Sequence, residues 1–166
     1  MQTPIFSPQD EQKLMATLWS QQIKDDPLAF VRLAFPWGKP GTPLEHFEGP
    51  RVWQREVLLT LRDHIKANNG RVDFETFRMA TSSGRGIGKS ALVSWLVIWM
   101  LTTRIGSTTI VSANSETQLR SITWAEITKW LALSLNSHWF EVSATRVMPA
   151  KWIAELVERD LKKGTR

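Results

Sequence analysis

Along most of the chain, apolar residues recur at the three-and-four spacing of one helical face; in two short stretches they alternate or cluster as β-branched runs. Ser7-Pro8, followed by Asp10 and Glu11, is a helix start signal. The hydroxyl can accept an orphan N–H, proline loses nothing at the first turn, and the carboxylates favour the positive end of the dipole. This predicts a helix to about Lys24. Asp26-Pro27 repeats the signal and predicts a short helix from Leu28 to Phe35, with Phe30, Val31 and Leu33 apolar. Pro36, Gly38, Pro40, Gly41, Pro43, Gly49 and Pro50 then punctuate a loop without period. Trp53, Val57, Leu58, Leu61 and Ile65 mark the next helical face, which Asn68-Asn69-Gly70 closes as a C-cap.

The second half continues the alternation. Phe74 to Ala80 alternates like a strand, Ala91 to Arg104 is an apolar helix, and Thr108 to Ala113 is a β-branched strand. Asn114 or Ser115 caps a helix reaching about Leu135, and His138 to Val142 reads as extended. Pro149 starts a last amphipathic helix with Trp152, Ile153, Leu156, Val157 and Leu161. Strands separated by helices imply parallel pairing through right-handed crossovers, hence an α/β sheet covered on both faces.

Composition narrows this only a little. A chain of 166 residues can build one sizeable core but not two comfortable domains. With 42% hydrophobic and 22% charged residues it is not a disordered segment. The net charge of +5 and pI near 9.9 favour an anionic partner such as phosphate or nucleic acid. Cysteine is absent, which excludes disulfides and thiolate metal sites, and His46, His64 and His138 lack paired ligand spacing. The longest apolar run, Ala91 to Leu101, is too short for a bilayer, which needs about 20 residues. No apolar signal core follows the N-terminus, so a cytoplasmic protein with no membrane partner is expected. Of the nine tryptophans, Trp53, Trp95, Trp99, Trp124 and Trp130 fall at helical spacing among Leu, Ile and Val, which favours core packing over base stacking.

The chemistry concentrates in Ser83-Gly84-Arg85-Gly86-Ile87-Gly88-Lys89-Ser90. A phosphate-binding loop needs backbone N–H groups converging on the anion, and Gly84, Gly86 and Gly88 allow that approach. Lys89 brings charge to the β- and γ-phosphates, Ser90 offers a hydroxyl to Mg²⁺, and the following helix directs its dipole at the ligand. The loop departs from GxxxxGK[ST] in carrying Ser83 at its first glycine. A dinucleotide fingerprint fits less well, because Lys89 occupies its last glycine and Ala113-Asn114 follow the second strand where an acid should hold the ribose.

Arg85 inside the loop and the string Arg-Gly-Ile-Gly-Lys-Ser resemble the variant loop of phage terminase large subunits, the motors that package DNA into capsids. Pro50-Arg51-Val52-Trp53-Gln54, about thirty residues upstream, is similar to the Trp-Gln adenine-recognition motif of that family. Thr109-Ile110-Val111-Ser112-Ala113-Asn114 looks like the strand after its first crossover helix, so the resemblance spans roughly residues 27 to 135. It implies a P-loop NTPase-like parallel sheet with flanking helices, as an incomplete ATPase core over residues 51–166. Residues 1–50 would be a helical extension and Pro/Gly-rich loop. It implies ATP and Mg²⁺ as cofactors, bound by Gln54 at the adenine edge and by Ser83, Gly84, Arg85, Gly86, Ile87, Gly88, Lys89 and Ser90 at the phosphates. Arg85 would sense or stabilise the γ-phosphate, and Ser90 would hold the metal. The implied partners are double-stranded DNA, a small terminase subunit and a portal, with assembly into a homo-oligomer in the host cytoplasm.

Two family features are missing. No run of four apolar residues ends in Asp-Glu, the pair that would hold Mg²⁺ and position water, and the nuclease acids are absent. The sequence therefore predicts the ATP-binding N-terminal portion of a longer motor, able to bind nucleotide but not to hydrolyse it efficiently alone. A helicase-like ATPase, a nucleotide kinase and a non-enzymatic product binding DNA or motor subunits are the alternatives.

Overall fold

A computed structural model describes residues 7–69, 71, 73–82, 84 and 86–164, with residues 160–164 described by backbone only. Ser7 Oγ accepts from the Asp10 N–H at 3.2 Å and donates to its carboxylate, starting α1 (Pro8–Leu18) as expected. That helix does not reach Lys24. The Ser20 hydroxyl accepts from the Ile23 N–H and opens a separate helix, α2 (Gln21–Asp25), because a side-chain cap competes with helix continuation. Asp26 caps α3 (Pro27–Ala34) through the Ala29 N–H. After the proline- and glycine-rich loop come α4 (Val52–Asn68) and α5 (Lys89–Thr103). Next, α6 (Glu116–Gln118) runs through a π turn at Leu119–Trp124 into α7 (Ala125–Leu133). A 3-10 turn at Ser137–Trp139 leads into an antiparallel hairpin, β1 (Phe140–Val142) and β2 (Val147–Pro149), with Phe140 opposite Pro149. Pro149 thus ends a strand rather than starting a helix, and α8 begins two residues later (Lys151–Gly164).

The centre of the molecule is α5. Leu92, Trp95, Val97, Ile98, Trp99, Thr102 and Thr103 are all buried, so solvent is excluded from most of its circumference, as a helix apolar all round requires. It packs on α7, α3 and α2. Phe35, Trp37, Trp95 and Trp130 form one aromatic cluster, in which Trp95 and Trp130 meet nearly perpendicular with ring centroids 5.0 Å apart.

The tryptophans also act as straps. The Trp19 indole donates to the Thr102 carbonyl and the Trp99 indole to the Ile23 carbonyl, both at 3.0 Å. Arg104 lies 4.5 Å above the Trp99 ring and donates to the Lys24 carbonyl; burial pushes its guanidinium down from the usual value, with Asp25 opposing. These bonds fix the C-terminal end of α5 against α1 and α2, and so hold the axis along which its N-terminus is presented. Leu18, Phe30 and Leu44 share one core with Leu58, Ile98, Trp139 and Ile153, on both sides of residue 50.

The α/β class with a P-loop-type parallel sheet is overturned. The structure is mostly helical, and among the described residues its only sheet is the two-stranded antiparallel hairpin. Neither Phe74 to Ala80 nor Thr108 to Ala113 is a strand, and no backbone hydrogen bond joins them among the described residues. A strand of a covered parallel sheet loses solvent on both faces. Here Phe74 is 57% exposed and Ile110 86%.

The first segment leans on α4 instead. Phe74 and Phe77 flank the His64 ring, and Asn68 Oδ1 accepts from the Glu75 N–H at 3.2 Å. In the second, Thr108, Thr109 and Val111 line a groove of about 720 Å³ that the hairpin also walls. Alternation and β-branching show that a segment suits a pleated surface, but they do not provide a neighbouring strand. The apolar burial is met by helices packing on helices around the indoles. No helix among the described residues is long and apolar enough to cross a membrane.

Candidate phosphate-binding site

Of the loop singled out in the sequence, Ser83 and Arg85 lie outside the described residues, as does Gly70 of the expected α4 cap. The rest leads directly into α5. Gly86 has φ +76° and Gly88 φ +92°, both in the left-handed region that glycine enters without a Cβ clash. Gly88 is the N-cap of α5, with no side chain to satisfy the first turn, and its carbonyl accepts from the Leu92 N–H at 3.2 Å. The N–H groups of Ser90 and Ala91 find no acceptor among the described residues, as expected of donors at an uncapped helix start.

Lys89 Nζ donates to the Gly84 carbonyl at 2.8 Å, which folds the ammonium back across the loop. Ser90 is exposed, and its hydroxyl has no hydrogen-bond partner among the described residues. The arrangement therefore offers backbone donors, a cation and an exposed hydroxyl around the positive end of a fifteen-residue helix.

The N-terminus of α4 lies against this loop. Arg51 Nη1 approaches the Gly86 carbonyl at 3.4 Å, Trp53 Nε1 donates to the Ile87 carbonyl at 3.2 Å, and Gln54 Nε2 donates to the Gly88 carbonyl at 2.8 Å. Gln54 is only 3% exposed, and its Oε1 accepts from the Arg51 N–H at 2.9 Å, closing the return half of a capping box. A β-carbon on Gly88 would lie 2.7 Å from Gln54 Nε2, so a side chain here would strain the backbone at φ +92° and push the Gln54 amide from its present place. Beside Gly88 and Gln54 a cavity of about 210 Å³ opens, walled by Trp37, Phe47, Trp95 and Trp130.

The structure thus brings Gln54 onto Gly88, with Arg51 and Trp53 on Gly86 and Ile87, although the two segments are far apart in sequence, and Lys89 reaches back to Gly84. Both heavy atoms of the Gln54 amide, expected at the adenine edge, are engaged, one with the loop and one with its own helix start. One N–H and one lone pair of that amide remain. Trp53 packs half-buried against the core, as its spacing suggests, and its indole is also bonded to the loop. Arg51 stands within the Trp-Gln motif but carries no role of its own in the sequence. The available signal was Pro50-Arg51 immediately before a helix that begins Val-Trp-Gln.

For a metal, no group of three or more His, Asp or Glu side chains is suitably placed among the described residues. The Ser90 hydroxyl suits Mg²⁺ that arrives with most of its ligands from phosphate and water. Compared with known proteins, the chain matches no family model, no curated protein and no solved structure.

Proposed function

We propose that this chain binds the phosphates of Mg·ATP on the loop from Gly84 to Ser90. The observation that carries the reading is a left-handed glycine N-cap, Gly88, leading straight into α5, with the Ser90 and Ala91 N–H groups unused among the described residues and the Lys89 ammonium drawn over the loop. An anion placed there would meet backbone donors, the helix dipole and a positive charge together. Lys89 would exchange its bond to the Gly84 carbonyl for the outer phosphates. Ser90 would take one coordination position of the Mg²⁺, whose role is to neutralise charge on the β- and γ-oxygens.

Binding, rather than hydrolysis, is the activity proposed, since the sequence has no apolar run ending in Asp-Glu. The wider reading as the nucleotide-binding portion of a DNA-packaging ATPase, with DNA, a small terminase subunit and a portal as partners, rests on the resemblance of Arg-Gly-Ile-Gly-Lys-Ser and Trp-Gln alone. Arg85 keeps its proposed role at the γ-phosphate on the same basis.

Titration calorimetry with Mg·ATP tests the reading. Wild-type chain is expected to bind, and Lys89→Ala to weaken binding by about tenfold or more, the scale of a lost charge-assisted hydrogen bond. A wild-type chain with no Mg·ATP affinity, or a Lys89→Ala chain that binds as well as wild type, would sink it.

A further inference from the structure

Three successive carbonyls of the phosphate loop are held from one side. Those of Gly86, Ile87 and Gly88 accept from Arg51, Trp53 and Gln54, all at the start of α4. A trans peptide is planar, with its C=O and the next N–H pointing in opposite directions. No peptide bond among the described residues is cis. Drawing these carbonyls toward α4 therefore turns the N–H groups of Ile87, Gly88 and Lys89 away from it.

Without such anchors a glycine-rich loop would sample both senses of φ, and its donors would have to be ordered anew when an anion arrives. Gln54 is the tightest of the three. Its side chain is buried, its Oε1 is held by the Arg51 N–H, and its Nε2 lies 2.8 Å from the Gly88 carbonyl, which also accepts from Leu92. Gly88 without a β-carbon is what lets the amide in.

We propose that Arg51, Trp53 and Gln54 are positioning residues that preset the loop's backbone donors, and that Gln54 serves the phosphate end of the ligand through the loop instead of recognising a nucleobase. The proposal rests on the phosphate-binding reading above and adds a prediction that reading does not make. A base-recognising glutamine discriminates between ligands with and without a base, whereas a loop clamp does not.

The test is calorimetry with Mg·ATP and with Mg·tripolyphosphate, which has the phosphates and no base. It uses wild-type chain, Gln54→Leu and Trp53→Phe, with circular dichroism and thermal unfolding confirming that each variant is folded at the working temperature. Gln54→Leu is expected to weaken both ligands by the same factor, about tenfold, the scale of one lost strong hydrogen bond acting on the binding conformation. Trp53→Phe keeps the ring and the α4 start but loses the indole N–H, so a smaller and again equal loss is expected; it also keeps the proposal testable if Gln54→Leu does not fold. A loss confined to ATP would overturn the proposal and make Gln54 a base contact. Unchanged affinity for both ligands, or wild-type binding of ATP without tripolyphosphate, would overturn it as well. If wild type binds neither ligand, the phosphate-binding reading fails first.

Discussion

At Gly88 two demands meet: φ is +92°, and an added β-carbon would lie 2.7 Å from Gln54 Nε2. Gly84, four residues earlier, has no left-handed φ and nothing within 4 Å of a built β-carbon. Both glycines read alike in the sequence, as freeing the backbone for an anion's approach, but the structure separates them. Gly88→Ala is expected to cost about 1–2 kcal/mol from backbone strain alone and more if Gln54 is displaced. Gly84→Ala should stay within about 0.5 kcal/mol and keep ligand affinity. Urea midpoints and calorimetry on the two variants check this, and equal behaviour would contradict the geometry. That a glycine belonged at Gly88 was readable from Gly-Lys-Ser. That Gln54 was the neighbour it makes room for was not, because the pair is 34 residues apart.

Helix starts depend on bonds spanning three residues, which is why they were the most readable elements. Ser7 and Asp26 cap α1 and α3 as their residue types predict, and Ser115, one of two candidates with Asn114, caps α6. The cap at Ser20 and the Gln54 return bond at the start of α4 are not foreseen, and Pro149 does not start α8. The Asp10 carboxyl is held below its ordinary value, first by the hydrogen bond from the Ser7 side chain and then by the Ser7 backbone. A carboxyl whose folded value is depressed contributes stability above its unfolded value, and that contribution is lost as pH falls through the folded value. Asp10→Asn should therefore be less stable than wild type near neutrality, and the gap should close in the acid range below the ordinary carboxylate value of about 4. Chemical denaturation of both proteins across that range measures it. A gap that persists unchanged at the acid end would mean the charge on Asp10 contributes nothing.

Across the whole molecule, long-range ties run through indole N–H groups. Glu11 on α1 accepts from Trp139 Nε1, and its other oxygen lies 2.9 Å from His138 Nε2, so the first helix is fastened to the turn before the hairpin. Trp139 is fully buried, so Glu11→Ala would strand its N–H without an acceptor. The expected cost is about 1–3 kcal/mol, visible as a lower urea midpoint with an unchanged slope. A variant as stable as wild type would show that another acceptor replaces the carboxylate. The sequence marked Trp53, Trp95, Trp99, Trp124 and Trp130 as packing residues by their spacing; Trp124 instead lines the groove beside the hairpin. Spacing says which face a ring occupies but not which distant carbonyl its N–H reaches, so the straps at Ile23, Ile87 and Thr102 could not be read there.

What the sequence determined by itself was local: where α1, α3 and α6 begin, that α5 is buried, and that Gly86 to Ser90 forms a turn into a helix start carrying a lysine and a serine. Each of these depends on residues within a few positions of one another. Only the tertiary structure decided that Phe74 to Ala80 and Thr108 to Ala113 do not pair as strands, and that Arg51, Trp53 and Gln54 close on the loop's carbonyls. Strand pairing and the fate of a polar side chain depend on which groups the remainder of the chain brings alongside. A hydrogen bond is made with whatever donor or acceptor arrives, and the local pattern carries no record of it.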